Sequence, residues 1–219
     1  MSEHAAADVT AFRECVRLFD ALLELQAKIA PRPVPETVWR DFMGLSPQRR
    51  RTIIEQLRHY TAILSAASKD GISLIGEKRL AWFAMRLLKL VPPSGFLDLI
   101  DDGDYFEIYN ADGLQIFRNL EFYKLISYTI AEIAVYRWDQ LYSRPAHCHS
   151  QIVEQCFKRG FSGDKTPYNL TIEDHETCEA MSKEARMFYL WPGWLVPLRD
   201  QNHRVVAVFG TSKRKRLYM

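Results

Sequence analysis

Residues 7–91 repeat their apolar side chains with the spacing of helices that turn one face toward a core. In the first helix this stripe consists of Phe12, Val16, Phe19, Leu23 and Ile29. Prolines at positions 31, 33 and 35 should end that helix, because proline removes a backbone donor and restricts the residue before it. The stripe fits equally well inside a helical bundle or at an interface with another molecule.

Three further helices are predicted in this region. A short one over residues 36–43 precedes a longer one that begins at Ser46-Pro47, an N-cap followed by proline at the first helical position. The inward residues of the longer helix are Ile53, Leu57, Tyr60 and Leu64. Asp70-Gly71 ends it. The inward residues of the last helix, over 77–90, are Leu80, Phe83, Leu87 and Leu90, and Trp82 and Met85 lie off that stripe.

After Gly95 the pattern changes toward that of strands. Residues 105–109 and 114–117 form a predicted hairpin around a turn over 110–113, in which Gly113 suits a positive φ. Short helices are predicted over 119–127 and 130–141, and a longer one over 146–159 that Gly160 ends. Residues 161–170 fit either a loop or a short strand. Residues 171–187 have the character of a helix, with Thr171 as its N-cap.

A second hairpin closes the pattern, with strands over 188–198 and 204–211 and a turn between them. Residues 205–209 are apolar on both faces, which is typical of a central strand that is covered on both sides. Within the first of these strands, Trp191-Pro192-Gly193-Trp194 indicates a bulge that would aim Trp194 into a pocket.

The pattern as a whole predicts an α+β fold in which a helical bundle precedes an antiparallel sheet with helices on one face. We expect a helical domain over 1–93, a sheet domain over 96–213 and a basic tail over 214–219. The tail continues the run Lys213-Arg214-Lys215-Arg216, which is more typical of a solubilising end than of a nucleic-acid or lipid contact.

Composition narrows the function classes. The chain has 219 residues, 47% of them hydrophobic, and a formal net charge of +2, which is too small for a whole-domain nucleic-acid surface. The segment MSEHAAADVT lacks the apolar core of a signal peptide, and no apolar run reaches the ~18 residues of a membrane span. Four cysteines are too few for a disulfide scaffold. We therefore expect a cytoplasmic protein that binds no membrane.

Several segments of the second region together resemble the PAS superfamily. Residues 104–113 resemble its first strand and acidic-Gly turn, and Gln115-Ile116-Phe117-Arg118-Asn119 resembles its second strand and the asparagine that follows. Residues 127–133, SYTIAEI, resemble its GY-S-x-x-E-L element, with Ser127 in place of glycine. Residues 196–200 and 204–208 resemble its closing hairpin. The middle strand expected after the long helix is not evident, and the related GAF fold remains an alternative.

The resemblance implies a sensory module, not an enzyme. Such domains bind a small molecule, haem or flavin, or only dimerise, and they pass a conformational change to a protein effector. We expect a ligand between the sheet and the helices of residues 130–159, a relay through residues 92–95, and a homodimer. The expected ligand-binding residues are Tyr109, Phe117, Tyr128, Ile133, Ile152, Trp194 and Phe209. Aromatic and aliphatic side chains of this kind line most ligand pockets, although they also fill cores.

Haem, flavin, metal and cysteine chemistry are the alternatives to a colourless small ligand. The cofactor is unknown; haem on His147 or His149 is one option, since haem iron takes a proximal histidine. Flavin photochemistry needs a cysteine in an Asn-Cys-Arg-Phe context, and none of the four lies in one. A metal on Cys148, Cys156, His175 and Cys178 lacks the usual zinc spacing, so no metal is predicted. Catalysis by Cys178 with His175, and a purely dimerising module, are the alternatives from other classes.

Overall fold

The computed structural model describes the backbone of residues 3–173 and 175–218 and the side chains of residues 5–173, 175–189 and 193–213. The first region is helical, as predicted. Its helices are α1 (Glu3–Leu22, continued by a π-helix over Leu23–Ala27), α2 (Glu36–Gly44), α3 (Pro47–Lys69) and α4 (Lys78–Leu87). The Ser46 hydroxyl caps α3 by accepting the Arg49 backbone N–H at 3.2 Å, and Gly71 follows its end with φ at +69°.

The apolar stripe of α1 is internal. Phe12 and Phe19 are fully buried, and Phe12 stacks on Phe42 of α2 with ring centroids 4.2 Å apart. The stripe thus belongs to the bundle and not to an exposed interface. In α4 the predicted stripe is partly wrong: Met85 is fully buried, whereas Leu87 is 43% exposed. The helix is rotated because its small residues Ala81 and Ala84, both fully buried, let it approach its neighbours closely.

The second region forms a seven-stranded antiparallel sheet with helices inserted between its strands. The strands are β1 (Tyr105–Asn110), β2 (Gln115–Arg118), β3 (Tyr142–Ser143), β4 (Tyr168–Asn169), β5 (Thr177–Glu179), β6 (Met187–Arg199) and β7 (Val205–Tyr218). The helices are α5 (Phe122–Leu125), α6 (Ile130–Val135), α7 (Trp138–Leu141) and α8 (Ala146–Ile152), the last continued by a π-helix over Val153–Arg159. The strand order is β2-β1-β7-β6-β5-β3, and β4 pairs with β6. The predicted α+β class, in which a helical region precedes an antiparallel sheet, is confirmed.

Alternation along the strands sends two sets of side chains to opposite faces of the sheet. On one face Phe106 stacks on both Phe117 and Phe209, and Phe209 meets Phe96, which precedes the sheet, at 4.9 Å between centroids. On the same face Phe117 contacts Tyr60 of α3 at 5.0 Å. The opposite face, which includes Glu107 and Val208, turns toward α7 and α8. The sheet is therefore covered on both faces, as the pattern of β7 predicted.

The segment 191–194 produces the predicted irregularity, since the pairing of β6 with β7 shifts register between Pro192 and Leu195. A Cβ atom on Gly193 would lie 2.3 Å from Thr211 Oγ1, so only glycine fits there. The same hydroxyl accepts the Trp194 backbone N–H at 2.8 Å. The side chains of Trp191 and Pro192 lie outside the described part of the chain.

The helix predicted over 171–187 is wrong. This segment contains the three-residue strand β5, which joins β3 to β6 through pairs such as Tyr142↔Glu179 and Thr177↔Phe188. The buried Glu179 carboxylate accepts the backbone N–H groups of Ser127 at 2.5 Å and Arg186 at 3.2 Å. These long-range bonds outweigh the local helix propensity. Asp174 of the predicted helix lies outside the described residues.

The helical region and the sheet share one continuous cluster of buried apolar residues. The division into domains at 93 and 96 therefore stays a prediction. The backbone of β7 continues as a strand to Tyr218, through the run expected to be a basic tail. Among the described residues, no helix combines the length and apolar character needed to span a bilayer.

Candidate functional site

A cavity of about 130 Å³ lies between the sheet and the segment formed by α7, α8 and the π-helix. The sequence predicted a ligand in this position, between the sheet and the helices of residues 130–159. The strand residues around it lie on one face of β1, β6 and β7: Glu107, Tyr109, Leu195, Val208 and Gly210. The helical segment and the loop after it supply most of the rest: Trp138, Arg144, Ile152, Cys156, Phe157, Leu170, Ile172 and His175.

Flat rings and aliphatic side chains make most of the cavity wall apolar. Trp138 and Phe157 stack with their planes 8° apart and centroids at 5.5 Å, and Tyr109 meets Phe157 edge-on at 6.1 Å. Leu195 and Val208 belong to a small buried cluster of their own, separate from the main core. The cavity wall therefore includes a second apolar centre, separate from the main core.

Glu107 is the acidic group of the cavity, and it is already paired. Its Oε2 atom accepts a hydrogen bond from Arg118 Nη2 at 2.9 Å and another from the Gln115 side-chain amide at 2.5 Å. The Arg118 guanidinium is buried and also lies over the Phe122 ring at 4.0 Å. The negative charge at this wall is therefore neutralised within the fold.

Arg144 is different. Its Nε and Nη1 atoms are buried, and neither has a hydrogen-bond partner among the described residues. The guanidinium lies over the faces of Trp138 at 5.2 Å and Tyr142 at 5.6 Å, contacts that attract a cation but accept no directed hydrogen bond. Burial lowers the pKa of Arg144. An arginine nevertheless stays protonated at neutral pH, so the cavity holds a positive charge that the described residues leave unpaired.

The segment beside the cavity is held to the π-helix by hydrogen bonds from two side chains. The Gln155 amide nitrogen donates to the Thr171 carbonyl at 2.6 Å, and its oxygen accepts the Thr171 N–H at 3.0 Å. The Tyr168 hydroxyl donates to the Gln155 backbone carbonyl at 2.5 Å. At the end of the π-helix, a Cβ on Gly160 would lie 2.7 Å from Val208, so the glycine lets this segment approach β7.

Of the predicted ligand-binding residues, the structure places Tyr109 and Ile152 at the cavity. Phe117 and Phe209 lie in the aromatic row on the opposite face of the sheet. Tyr128 and Ile133 are buried in the main core, as is most of Trp194. Leu195 lines the cavity instead, because adjacent strand residues point to opposite faces. The assignment of all seven as ligand contacts stays a prediction.

The two candidate haem ligands lie away from the cavity lining. His147 is exposed, with Nε2 3.2 Å from Glu173 Oε2, and His149 stacks on the outer side of the Trp138 ring system at 5.1 Å. A cavity of about 130 Å³ has room for one benzene-sized group and not for a four-pyrrole macrocycle. The residues present do not fit haem.

The cysteine chemistry weighed above has no support in the geometry. Burial raises the pKa of Cys156 to about 12, so this thiol is protonated at neutral pH. Cys178 Sγ lies near the carbonyls of Glu179 and Ala185, and His175 Nδ1 lies 2.8 Å from the Glu173 carbonyl oxygen. In the extended backbone of this segment, residues three apart point to opposite faces. Among the described residues, no group of His, Cys, Asp and Glu is arranged to hold a metal ion.

Sequence reasoning missed Glu107 and Arg144, the charged residues of the site. Glu107 carried a usable signal, since it is the charged member of an otherwise aromatic strand face with Tyr105 and Tyr109. Arg144 precedes Pro145 between two predicted helices, and nothing in that local sequence indicates that its donors are buried. Its burial depends on Trp138 and Tyr142 lying against its guanidinium, which no local pattern reveals.

Comparison with known proteins gives little further guidance. No protein-family profile matches the chain, and no curated protein matches it. Among solved structures, the "Structure of an RNA-binding Light-Oxygen-Voltage Receptor" matches with a TM-score of 0.35 and 14% identity. The match covers 81% of this chain and 57% of that one, so the chain spans less than two thirds of that structure's length. A likeness this distant assigns neither a family nor a function.

Proposed function

We propose that the protein is a non-enzymatic regulatory module that binds a small molecule in the cavity between the sheet and α8 and relays its presence to the N-terminal helices. The observation that supports this most is the cavity itself, which is enclosed mainly by apolar side chains and has a few convergent polar groups. That combination is typical of small-molecule sites. The PAS-like strand order is consistent with such a role.

A contiguous set of contacts leads from the cavity to the helical region. Glu107 at the cavity wall holds the Arg118 side chain at 2.9 Å, and the backbone carbonyl of Arg118 accepts the hydroxyl of Tyr60 at 2.5 Å. Tyr60 belongs to α3, the longest helix of the first region. A ligand that displaces Glu107 would change both bonds, and a ligand shifts an equilibrium only through such differential contacts.

A second connection lies at the linker between the two regions. Val91 and Arg199 exchange backbone hydrogen bonds of 2.8 and 3.2 Å, which tie the end of the helical region to the end of β6. The sequence placed the relay at residues 92–95, next to this bridge. Through these contacts ligand binding would alter the surface that the helices offer to an effector protein or to a second copy.

The first experiment asks whether a ligand exists and what it moves. Native mass spectrometry of the purified protein and a thermal-shift screen against a metabolite panel would identify a ligand. Hydrogen exchange would then be followed in α3 with and without it. We expect the ligand to change exchange in α3 as well as around the cavity. Full exchange protection at the cavity with no change in α3 would contradict the relay.

The relay has a matched pair of variants. Tyr60→Phe removes the hydroxyl that bonds to Arg118 but keeps the ring, so it should weaken the response of α3 without abolishing binding. Tyr136→Phe removes a comparable hydroxyl, which donates to Asp41 at 2.6 Å away from Arg118. This control should respond like the wild type. Equal responses from both variants would exclude Tyr60 from the relay.

One surface favours the alternative function, a protein–protein interaction module that binds no ligand in its cavity. A groove of about 470 Å³ between α1 and α3 is lined by Leu18, Leu22 and Leu25 among others, and Leu25 is 62% exposed. Leu25→Glu should lower self-association in light scattering if this groove forms a dimer contact. If the metabolite panel also yields no ligand, the alternative becomes the better account.

A further inference from the structure

The charge balance of the cavity indicates the chemistry of its ligand. Two charged side chains, Glu107 and Arg144, and the imidazole of His175 border it. Glu107 is compensated by Arg118, and the His175 ring nitrogen Nδ1 lies at hydrogen-bond distance from the Glu173 carbonyl. Arg144 attracts Glu107 electrostatically, but that carboxylate is paired with Arg118, and the Nε and Nη1 donors of Arg144 have no hydrogen-bond partner among the described residues. The described cavity therefore favours a ligand with one negative charge.

The cost of this arrangement supports a functional reading. A buried polar group without a partner destabilises a fold, and such groups are rare in native proteins. Arg144 has two buried donors in that condition. A guanidinium forms strong, charge-assisted hydrogen bonds with a carboxylate. The neighbouring rings of Trp138 and Tyr142 hold it in place without using those donors.

The rest of the cavity limits the body of the ligand. Its volume of about 130 Å³ is close to the ~150 Å³ of an engineered protein cavity that accommodates benzene. Trp138 and Phe157 stack on each other and form an aromatic part of the wall, and Ile152, Leu195 and Val208 add aliphatic surface. A single aromatic ring or a short branched chain fits this space, whereas a nucleotide or a macrocycle does not.

We propose that the cavity binds a small organic monocarboxylate with a flat, apolar body about the size of one aromatic ring, and that the Arg144 guanidinium binds its carboxylate. This inference rests on the proposed function, because it names the class of ligand for the same cavity. Hydroxyl groups of Thr177, Thr211 and Ser212 line the cavity as well and would accept or donate to substituents on the ring.

The test compares two probes of nearly the same shape but different charge, 4-fluorobenzoate and 4-fluorobenzamide, each titrated into the full chain and followed by fluorine NMR. We expect the benzoate to bind roughly tenfold or more tightly than the benzamide. Arg144→Met should weaken the benzoate by roughly tenfold to a hundredfold, the range for hydrogen bonds to charged groups, and leave the benzamide unchanged.

Arg159→Met is the matched control. This arginine is exposed on the same helical segment, 3.8 Å from the Tyr168 ring centroid, and does not line the cavity. The Arg159→Met variant should bind both probes with the affinity of the wild type. If Arg144→Met fails to fold, the comparison of the two probes on the wild-type protein decides on its own.

The outcomes separate this inference from the function on which it rests. Equal affinity for the two probes, or benzoate binding that survives Arg144→Met, overturns the carboxylate assignment. If the neutral probe or a neutral metabolite binds and alters exchange in α3, the regulatory proposal stands and the carboxylate is wrong. If no probe and no panel compound binds in the cavity, both proposals fail.

Discussion

Two buried arginines on the same side of the sheet have opposite surroundings. Arg118 is 2% exposed, is paired with Glu107 and faces Tyr142 across 3.4 Å. Arg144 lies over the rings of Trp138 and Tyr142, and its Nε and Nη1 atoms have no hydrogen-bond partner among the described residues. Arg118 is unpartnered only at Nε and has a carboxylate partner, whereas no described carboxylate forms an ion pair with Arg144.

The contrast separates what stabilises the fold from what the fold can bind. Removing one partner of a buried ion pair destabilises the fold, because it leaves the other charge buried alone. A buried donor that has no partner lowers stability in the wild-type protein itself. Natural proteins retain such unfavourable features mainly where activity needs them. The described surroundings of Arg144 therefore indicate a binding role, and those of Arg118 indicate a structural and coupling role.

Arg118→Met should have the largest effect on stability. It leaves the Glu107 carboxylate at the cavity wall without its cation, and breaking a buried ion pair costs about 3–5 kcal/mol. Urea denaturation would measure this loss. Arg204→Met, at an exposed surface pair, should change stability by about 0.5 kcal/mol or less. A similar small change in both variants would remove the distinction drawn between the two arginines.

Gly160→Ala should destabilise by about 1–3 kcal/mol, as overpacking does, because its Cβ would lie 2.2 Å from the Cys156 carbonyl and 2.7 Å from Val208. The variant pushes the π-helix away from the cavity floor and should also weaken ligand binding. In α2, Gly44→Ala meets nothing within 4 Å and serves as the control. If Gly160→Ala has the same denaturation midpoint as the wild type, the π-helix moves freely against β7.

Asp20 extends the comparison to the helical region, since burial raises its pKa to about 6. In the unfolded chain the carboxyl releases its proton near its ordinary value of 3.8, whereas the folded state holds it until about 6. The folded state therefore loses stability as the pH rises from about 4 to about 6, and the loss is complete above that range. Asp20→Asn should remove it, with a gain on the order of 1 kcal/mol after allowance for solvent screening.

Denaturation series at several pH values would follow this gain, which should be absent at the acidic end and constant from neutral pH upward. Glu24→Gln, on an exposed carboxylate in the same region, supplies the reference. A gain that does not vary with pH would show that the titration of Asp20 is not its source.

Arg144→Met should have the smallest effect on stability, with the free energy of unfolding within about 1 kcal/mol of the wild type. The variant removes an unpaired buried charge but also loses its contacts with two rings, and these effects oppose each other. The comparison is sharpest if this variant folds normally and no longer binds 4-fluorobenzoate. A loss as large as that of Arg118→Met would mean that Arg144 has a structural partner.

Much of the fold could be predicted from the sequence because it depends on local patterns. The Ser46-Pro47 pair determined the start of α3, and Gly113, with φ at +71°, determined the first hairpin. The first helix and its π-helical extension end at Ala27, before the first of the three prolines. The segment 171–187 could not be assigned in this way, since its structure depends on pairing with residues far along the chain. The cavity lies where the sequence predicted a pocket, between the sheet and the helices of residues 130–159. Its charged residues were not predicted, because the environment of Arg144 depends on the rings of Trp138 and Tyr142 that pack against it.

The covering of both sheet faces limits how this protein could be divided. Separated from the preceding helices, the sheet would expose the row formed by Phe117, Phe106 and Phe209. An exposed apolar patch of this kind is unfavourable in water and favours aggregation. A fragment that starts at the predicted boundary would therefore tend to aggregate. The sheet and the helices that cover it would therefore have to be engineered and expressed as one unit.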